Sequence, residues 1–264
     1  IHKSRNTLSR DFLCALLLSK QISDLKRFAI IVGGGSGTRM NTPVPKQFML
    51  LDNKPVLMHT IGKFAEADAS IILIIVLRTD QIEFWKELCS QHSFTIPHLI
   101  AEGGDTRFQS VKNGLALISE DGIIGIHDAA RPLVSTKTII TAFKAAEMYG
   151  NAVPAIPLQD SIRQIVSGLS IAVDRTKYCA IQTPQCFNSL ILKKAYEQEY
   201  RYTFTDDASV VEAGGDKIHL IDGNSDNIKI TTPRDLVIAD AILKNKKTIE
   251  STNKSNHTDD LSLL

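Results

Sequence analysis

The sequence predicts an α/β fold with a doubly wound, mostly parallel sheet, and three observations support this prediction. Residues 70–77 form a continuous apolar run, typical of a strand buried on both faces. Strand and helix patterns alternate along most of the chain, as repeated βα units require. A glycine-rich turn follows the first apolar run, residues 28–32, at the kind of position where such folds bind ligands.

The elements of the first half follow in regular order. After the strands at 28–32 and 70–77, the pattern predicts an amphipathic helix at 81–92 and a strand at 97–101. A helix at 105–118 carries one apolar stripe, and a strand at 123–127 follows it. Ser135 is suited to cap the next helix, which should end at Tyr149 because Gly150 comes after it.

The second half predicts three more strands, three more helices and one hairpin. The strands lie at 152–157, 179–182 and 217–221, and the helices at 189–200, 207–213 and 233–243. Residues 161–177 alternate in hydrophobicity and turn at Gly168, which predicts a β-hairpin.

Length and composition set the domain organisation. A chain of 264 residues with 43% hydrophobic content suits one large domain, here predicted at residues 28–244. Residues 1–27 are predicted as an extension and residues 245–264 as a polar, frayed tail. The extension faintly resembles a targeting segment, so an organellar address is the alternative to a cytoplasmic location.

The net charge bears on binding partners, and the cysteine pattern bears on the redox compartment. A net charge of +1 gives no electrostatic reason to expect nucleic acid or membrane binding. The four cysteines lack C-x-x-C spacing, so we interpret them as reduced thiols in a cytosol-like compartment.

The glycine turn and two cations beyond it predict a phosphate site. Backbone N–H groups of a glycine-rich turn can surround an anion, and Arg39 and Lys46 add positive charge nearby. The turn is neither a P-loop nor a dinucleotide fingerprint, because Thr38 occupies the place of a required lysine or glycine. The glycines alone fit a plain strand-to-loop turn equally well, but the two cations favour a nucleoside triphosphate site.

Other unusual polar residues also lie next to predicted strand ends. They occur at residues 103–107, 127–132, 174–175, 183–185 and 226–229. Clustering of this kind predicts a ligand site at one edge of the sheet.

Six sequence blocks together resemble the 2-C-methyl-D-erythritol 4-phosphate cytidylyltransferase family of the non-mevalonate isoprenoid pathway. The blocks are GGGSGTRM, PKQF, GGDTRFQSV, HDAARP, VDR before QTPQ, and DNIKITTPRDL. The resemblance covers roughly residues 28–243. It implies a Rossmann-like nucleotidyltransferase fold, CTP as substrate, Mg²⁺ as cofactor and a homodimer formed through a β-arm at 158–177.

The resemblance also implies roles for individual residues. Arg39 and Lys46 become the cations of the reacting phosphates. The CTP site takes the two glycine segments and their neighbours: Gly33, Gly34, Gly35, Ser36, Gly37, Gly104, Asp105, Ser110 and Ala129. Asp105 has a second interpretation as the N-cap of the following helix.

The acceptor and metal sites are assigned in the same way. Arg175 and Lys229 become cations of a sugar-alcohol phosphate, whose site also includes Asp128, Asp160, Ser161 and Thr183. Asp128 is the first candidate Mg²⁺ ligand. Asp226 is either a second ligand or a residue that orients Lys229, and His127 is expected to be a packing residue.

Three other functions remain open on the sequence. A ribitol-phosphate or other polyol-phosphate cytidylyltransferase shares several of the blocks. A catalytically silent nucleotide-binding module would bind CTP without releasing pyrophosphate. A dehydrogenase is disfavoured by the broken dinucleotide fingerprint.

Overall fold

The computed structural model describes residues 25–34 and 44–259, which fold around one mixed sheet. Its strand order is β10–β7–β11–β6–β1–β4–β5, and β12 pairs with β7. The strands are β1 Lys26–Val32, β4 Ile72–Leu77, β5 Leu99–Glu102, β6 Gly122–Asp128, β7 Asn151–Pro157, β10 Cys179–Ile181, β11 Gln185–Asn188 and β12 Leu220–Asp222. The four strands β6, β1, β4 and β5 are parallel, so their carboxyl ends lie at one edge.

Helices cover both faces of this sheet. They are α1 Val56–Ala67, α2 Ile82–Gln91, α3 Arg107–Leu115, α4 Thr136–Tyr149, α5 Ser189–Ala195, α6 Asp207–Ala213 and α7 Pro233–Asp259. Ser135 accepts a hydrogen bond from the Thr138 amide at the start of α4, and Gly150 ends that helix with φ of 84°. The predicted cap and stop of this helix are therefore confirmed.

The core has a separate apolar cluster on each face of the sheet. Ile31 packs with Phe64, Trp85 and Phe143 on one face, while Ile30 packs with Phe108 on the other. Adjacent residues of β1 thus point to opposite faces, because side chains alternate along a strand. A smaller cluster packs Ala239 of α7 with Leu51, Val56, Leu133 and Ile230.

Two small antiparallel hairpins lie outside the main sheet. The first is β2 Leu50–Leu51 with β3 Lys54–Pro55. The second is β8 Arg163–Val166 with β9 Leu169–Ala172, and it turns at Ser167 and Gly168, both with positive φ. Every residue of β8 and β9 is exposed, so the predicted hairpin projects from the body of the chain.

The structure adds elements that the sequence patterns did not predict, among them the β2–β3 hairpin, helix α1 and strand β11. Helix α1 contains Val56, Thr60, Ile61 and Gly62, which are weak helix formers, and its stability comes from burial of its apolar face. Strand β11 is only four residues long and follows Pro184, so it lacks a readable period.

Several boundaries also differ from the prediction. Strand β1 begins at Lys26, within the predicted extension, and α5 ends at Ala195 rather than at residue 200. Helix α7 continues past Leu243 to Asp259, because neither glycine nor proline interrupts that stretch. Ion pairs from Lys246 to Asp226 and from Lys247 to Asp52 hold this longer helix against the domain.

Candidate active site

A cavity of about 680 Å³ opens at the carboxyl ends of the four parallel strands. Its size falls within the range of small-molecule sites. Six segments line it: residues 32–34, 46–47, 78–80, 103–107 with Ser110, 128–130, and Lys229. The predicted clustering of polar residues at one sheet edge is therefore confirmed for three of the five predicted segments, 103–107, 127–132 and 226–229, while none of residues 174–175 and 183–185 lines the cavity.

The described part of the glycine turn packs tightly against its neighbours. The Gly33 amide donates to the Val76 carbonyl at 2.8 Å, and a Cβ at Gly33 would lie 2.9 Å from a methyl group of Leu77. A Cβ at Gly34 would lie 3.2 Å from the Ser110 hydroxyl. Gly35, Ser36, Gly37 and Arg39 lie outside the described residues.

Lys46 stands at the cavity in a 3₁₀ turn, Lys46–Phe48. The next side chain, Gln47, is buried and donates to the Gly33 carbonyl at 2.8 Å. Phe48 packs edge-on against Phe84, with ring centroids 5.4 Å apart, and stacks on Trp85 at 6.1 Å. The residues after Lys46 thus anchor its backbone to the domain.

The second glycine segment is held by the Ser110 hydroxyl. This oxygen accepts a hydrogen bond from the Gly104 amide at 3.1 Å and donates to the Thr106 carbonyl at 2.9 Å. Thr106, and not Asp105, caps α3, because its hydroxyl accepts from the Gln109 amide. The alternative interpretation of Asp105 as an N-cap is wrong, and Asp105 lines the cavity.

Asp128 lies within a cluster of cations on the cavity wall. Its Oδ2 is 3.0 Å from Lys229 Nζ and 3.0 Å from Arg131 Nε, and its Oδ1 is 4.0 Å from Arg107 Nε. Burial alone would raise the pKa of Asp128, but Lys229, Arg107 and Arg131 outweigh that effect and hold the pKa well below its usual range. The carboxylate therefore stays ionised at neutral pH.

Arg107, partly exposed at the cavity, is bound to a buried pair, Asp207 and Tyr196, for which no sequence pattern predicted a role. Its guanidinium donates to both Asp207 oxygens, at 2.7 and 2.6 Å, and the Tyr196 hydroxyl donates to Asp207 at 2.6 Å. Burial opposes the charge of Arg107, but Asp207 more than compensates and raises its pKa. Arg107 and Asp207 are 100 residues apart, so only the folded chain reveals this pair.

Thr183 and His127 form a chain of hydrogen bonds to the backbone of Asp128. The Thr183 hydroxyl accepts from the Asp128 amide at 3.1 Å and hydrogen-bonds to His127 Nδ1 at 2.9 Å. His127 is fully buried and packs edge-on against Phe64, which agrees with the expected packing role. Burial lowers the pKa of His127 to about 4, so the ring is neutral at neutral pH.

Several predicted site residues are not brought to the cavity within one chain. Asp226 pairs with Lys246 at 2.8 Å, and Lys229 contacts Asp128 instead of Asp226. Among described residues, the cavity lining does not include Asp226, Thr183, Asp160, Ser161 or Arg175. The last three lie on the exposed loops flanking the projecting hairpin, where Arg175 donates to the Gln159 carbonyl.

The chain matches the model of the 2-C-methyl-D-erythritol 4-phosphate cytidylyltransferase (IspD) family over residues 28–245. It belongs to this family. The matched region contains every segment that lines the cavity.

Curated relatives carry the same family name. The cytidylyltransferase of Bacteroides thetaiotaomicron is 48% identical over 219 residues, covering 83% of this chain and all of that protein. That of Clostridium novyi is 39% identical over 231 residues, covering 84% of this chain and 99% of that protein.

Solved structures of the family share the fold. The 4-diphosphocytidyl-2C-methyl-D-erythritol synthase of Anaerococcus prevotii superposes with a TM-score of 0.73 at 25% identity, covering 85% of this chain and 99% of that one. The Thermus thermophilus cytidylyltransferase gives a TM-score of 0.64 at 26% identity, covering 83% and 99%. The prediction of a Rossmann-like nucleotidyltransferase fold is confirmed.

The family resemblance implies Mg²⁺, and the donor set of the cavity can be compared with what that ion requires. Within residues 25–34 and 44–249, three or more His, Cys, Asp or Glu side chains nowhere group closely enough to form a metal site. The ionised Asp128 in the cavity wall nevertheless fits a cation that takes most of its ligands from triphosphate oxygens. Asp226, paired with Lys246 outside the cavity, does not fit.

Proposed function

We propose that this protein transfers CMP from CTP to 2-C-methyl-D-erythritol 4-phosphate and releases pyrophosphate. One observation carries the proposal: two glycine segments, two lysines and the ionised Asp128 line a single cavity. Anion-binding amides, fixed cations and one carboxylate are the groups that a metal-bound triphosphate and a second phosphate require.

The transfer needs positioning and charge rather than a protein nucleophile. A phosphate oxygen of the acceptor attacks the α-phosphorus of CTP and forms the new P–O bond. The bond from the α-phosphorus to the bridging oxygen breaks, and pyrophosphate leaves with that electron pair. Negative charge builds on the leaving and non-bridging oxygens, so fixed cations stabilise the transition state more than the ground state.

We assign the CTP side of the cavity to the glycine segments and Lys46. Gly33, Gly34, Gly104 and the Ser110 that holds Gly104 are proposed to receive the nucleotide. Ala129, whose amide donates to the Val32 carbonyl at 3.0 Å, completes this side. Arg39, Gly35, Ser36 and Gly37 keep their proposed phosphate roles on the family resemblance alone.

We assign the acceptor side to Lys229 and to residues of a second subunit. Lys229 lies beside Asp128 in the cavity, whereas Asp160, Ser161 and Arg175 lie on the exposed hairpin region of the same chain. The exposed apolar residues Ile165, Val166, Leu169 and Ile171 on this hairpin are suited to pack against another copy. We therefore propose a homodimer in which each arm brings its Arg175 to the neighbouring cavity.

Asp128 is the residue that would hold Mg²⁺, and Thr183 would orient Asp128 instead of touching the acceptor. Bound with CTP, the metal would neutralise charge on the triphosphate. Lys229 and Arg131, both 3.0 Å from Asp128 Oδ2, keep that carboxylate ionised and fixed in the cavity wall.

A cytoplasmic location is proposed as well. Cys89, Cys179 and Cys186 are free thiols in the folded chain, which suits a reducing compartment. Among the described residues, no helix has both the length and the apolar composition to cross a membrane.

Pyrophosphate release from CTP, measured with two acceptors, tests the proposed reaction. Turnover with 2-C-methyl-D-erythritol 4-phosphate should exceed turnover with ribitol 5-phosphate. Faster turnover of ribitol 5-phosphate would establish the alternative acceptor, and CTP binding without any pyrophosphate release would establish a silent binding module.

A Lys46→Met variant tests the assigned role of the first lysine. Because this charge acts on the reacting phosphates, its loss should lower kcat by about 100-fold or more while the melting temperature hardly changes. Lys86→Met is the matched control, since Lys86 forms an exposed pair with Glu83 on α2 and should retain full activity.

A further inference from the structure

The side-chain amide of Gln47 joins the glycine turn to the turn that carries Lys46. Gln47 is 2% exposed and follows Lys46 directly in the chain. Its Nε2 lies 2.8 Å from the Gly33 carbonyl oxygen and 2.8 Å from Gln81 Oε1. One NH₂ group thus connects the end of β1, the Lys46 turn and the Thr79–Gln81 turn after β4.

The direction of these two hydrogen bonds is fixed by chemistry. A backbone carbonyl only accepts, so the atom of Gln47 that faces Gly33 must be the nitrogen. Both protons of that nitrogen are then used, and the atom of Gln81 that faces it must be the oxygen. A side chain of similar size without an NH₂ group cannot make this connection.

The groups on either side of Gln47 are themselves fixed. The Gly33 amide is bound to the Val76 carbonyl at 2.8 Å, and Phe48 is 3% exposed between Phe84 and Trp85. Gln47 therefore sets the distance between the end of β1 at Gly33 and the turn that contains Phe48. The backbone of Lys46 belongs to this turn.

We propose that Gln47 is a positioning residue for the transfer reaction, acting through the place of Lys46 relative to the glycine turn. This inference rests on the proposed function. Misplacing a charged group by about 1 Å can cost on the order of 100-fold in rate, since stabilisation of the transition state depends on geometry. Binding of the triphosphate in the ground state is shared among several backbone amides, so it should depend less on the position of Lys46.

A double-variant experiment tests the proposal. Wild type, Gln47→Met, Lys46→Met and the double variant are compared for kcat and for the KM of CTP, with pyrophosphate release as the readout. Gln47→Met should lower kcat roughly tenfold or more with a change in KM of less than about threefold. In the double variant, kcat should match that of Lys46→Met alone within about threefold, since Gln47 acts through Lys46.

Additive losses in the double variant would overturn the proposal, as would a Gln47→Met enzyme with wild-type kcat. Gln91→Met, the same change at an exposed position at the end of α2, should leave kcat unchanged. If Gln47→Met fails to fold, Gln81→Met is the replacement variant, since it removes only the Gln81 oxygen that accepts a hydrogen bond from Gln47 Nε2. It should reduce kcat by about threefold, and only when Lys46 is present.

Failure of this inference can be told apart from failure of the proposed function. If the wild-type enzyme is active but the losses of kcat in Gln47→Met and Lys46→Met add up in the double variant, only the role of Gln47 is contradicted. A wild-type enzyme that releases no pyrophosphate contradicts the proposed reaction, and the inference falls with it.

Discussion

The carboxylate of Asp128 lies 3.0 Å from the ammonium group of Lys229, and this contact joins the end of β6 to the segment before α7. The two residues are 101 positions apart in the sequence. A second Lys–Asp pair, Lys246 with Asp226, lies outside the cavity with a similar distance of 2.8 Å. The Lys246–Asp226 pair therefore provides matched control variants for changes at Lys229 and Asp128.

Asp128→Asn should impair metal-dependent activity, because it removes the cavity carboxylate that we assign to Mg²⁺. We expect kcat to fall at least tenfold, and the Mg²⁺ concentration for half-maximal activity to rise by about tenfold. Asp226→Asn should leave both values within about twofold of wild type, since an exposed pair contributes little. An unchanged Mg²⁺ requirement in Asp128→Asn would contradict the assignment of Asp128 as a ligand.

Lys229→Met should reduce kcat/KM for the sugar-phosphate acceptor by about 100-fold, since a cation next to the reacting phosphate is lost. Steady-state kinetics with varied acceptor at saturating CTP measures this. Lys246→Met is the control, and it should stay within about twofold of wild type. Equal losses in the two variants would show that charge at the cavity has no special role.

Asp207→Asn should destabilise the fold, because it removes a fully buried carboxylate and leaves the partly buried Arg107 without its main ionised partner. Losing one partner of a buried pair typically costs about 3 kcal/mol or more, so the midpoint of urea unfolding should fall clearly. Glu66→Gln breaks the exposed Lys63–Glu66 pair on α1 and should cause little change. A stable Asp207→Asn protein would mean that Arg107 finds another partner.

His127 makes stability depend on pH in a defined direction. Its pKa is about 4 in the folded chain, lowered mainly by burial, against roughly 6.5 when unfolded. Between these values the unfolded chain binds the proton and the folded chain does not, so stability falls as pH decreases. From pH 7 to pH 5 this group should cost about 2 kcal/mol of unfolding free energy.

Urea unfolding at several pH values compares wild type with His127→Asn, which cannot titrate. The variant should lose less stability on acidification. Phe64→Leu, which alters the ring packed on His127, should be less stable at every pH but keep the wild-type slope. If the unfolding free energies of wild type and His127→Asn change equally with pH, the lowered pKa of His127 is contradicted.

The proposed arm exchange predicts complementation between two inactive variants. If Arg175 acts in the neighbouring cavity, Arg175→Met and Lys46→Met subunits that form mixed dimers regain one intact site. Equal mixing should restore about a quarter of wild-type activity. Activity that does not rise on mixing, although subunits exchange, would assign Arg175 to its own chain.

The sequence by itself determined seven of the eight strands of the main sheet and predicted a ligand site at one edge of it, but it gave neither β11 nor the strand order. Apolar runs such as residues 70–77 predict buried parallel strands, and polar residues beside strand ends predict a site at one edge, because these signals are local. The ends of α4 at Ser135 and Gly150 were predictable for the same reason.

Only the tertiary structure decided which polar groups meet. The contacts of Arg107 with Asp207, Asp128 with Lys229 and Gln47 with Gly33 join different segments of the chain, and no periodicity encodes them. Asp226 has the same chemistry as Asp128 and lies just before Lys229 in the chain, yet it faces Lys246. A pairing depends on where two backbones bring their side chains, and that follows from packing of the whole domain.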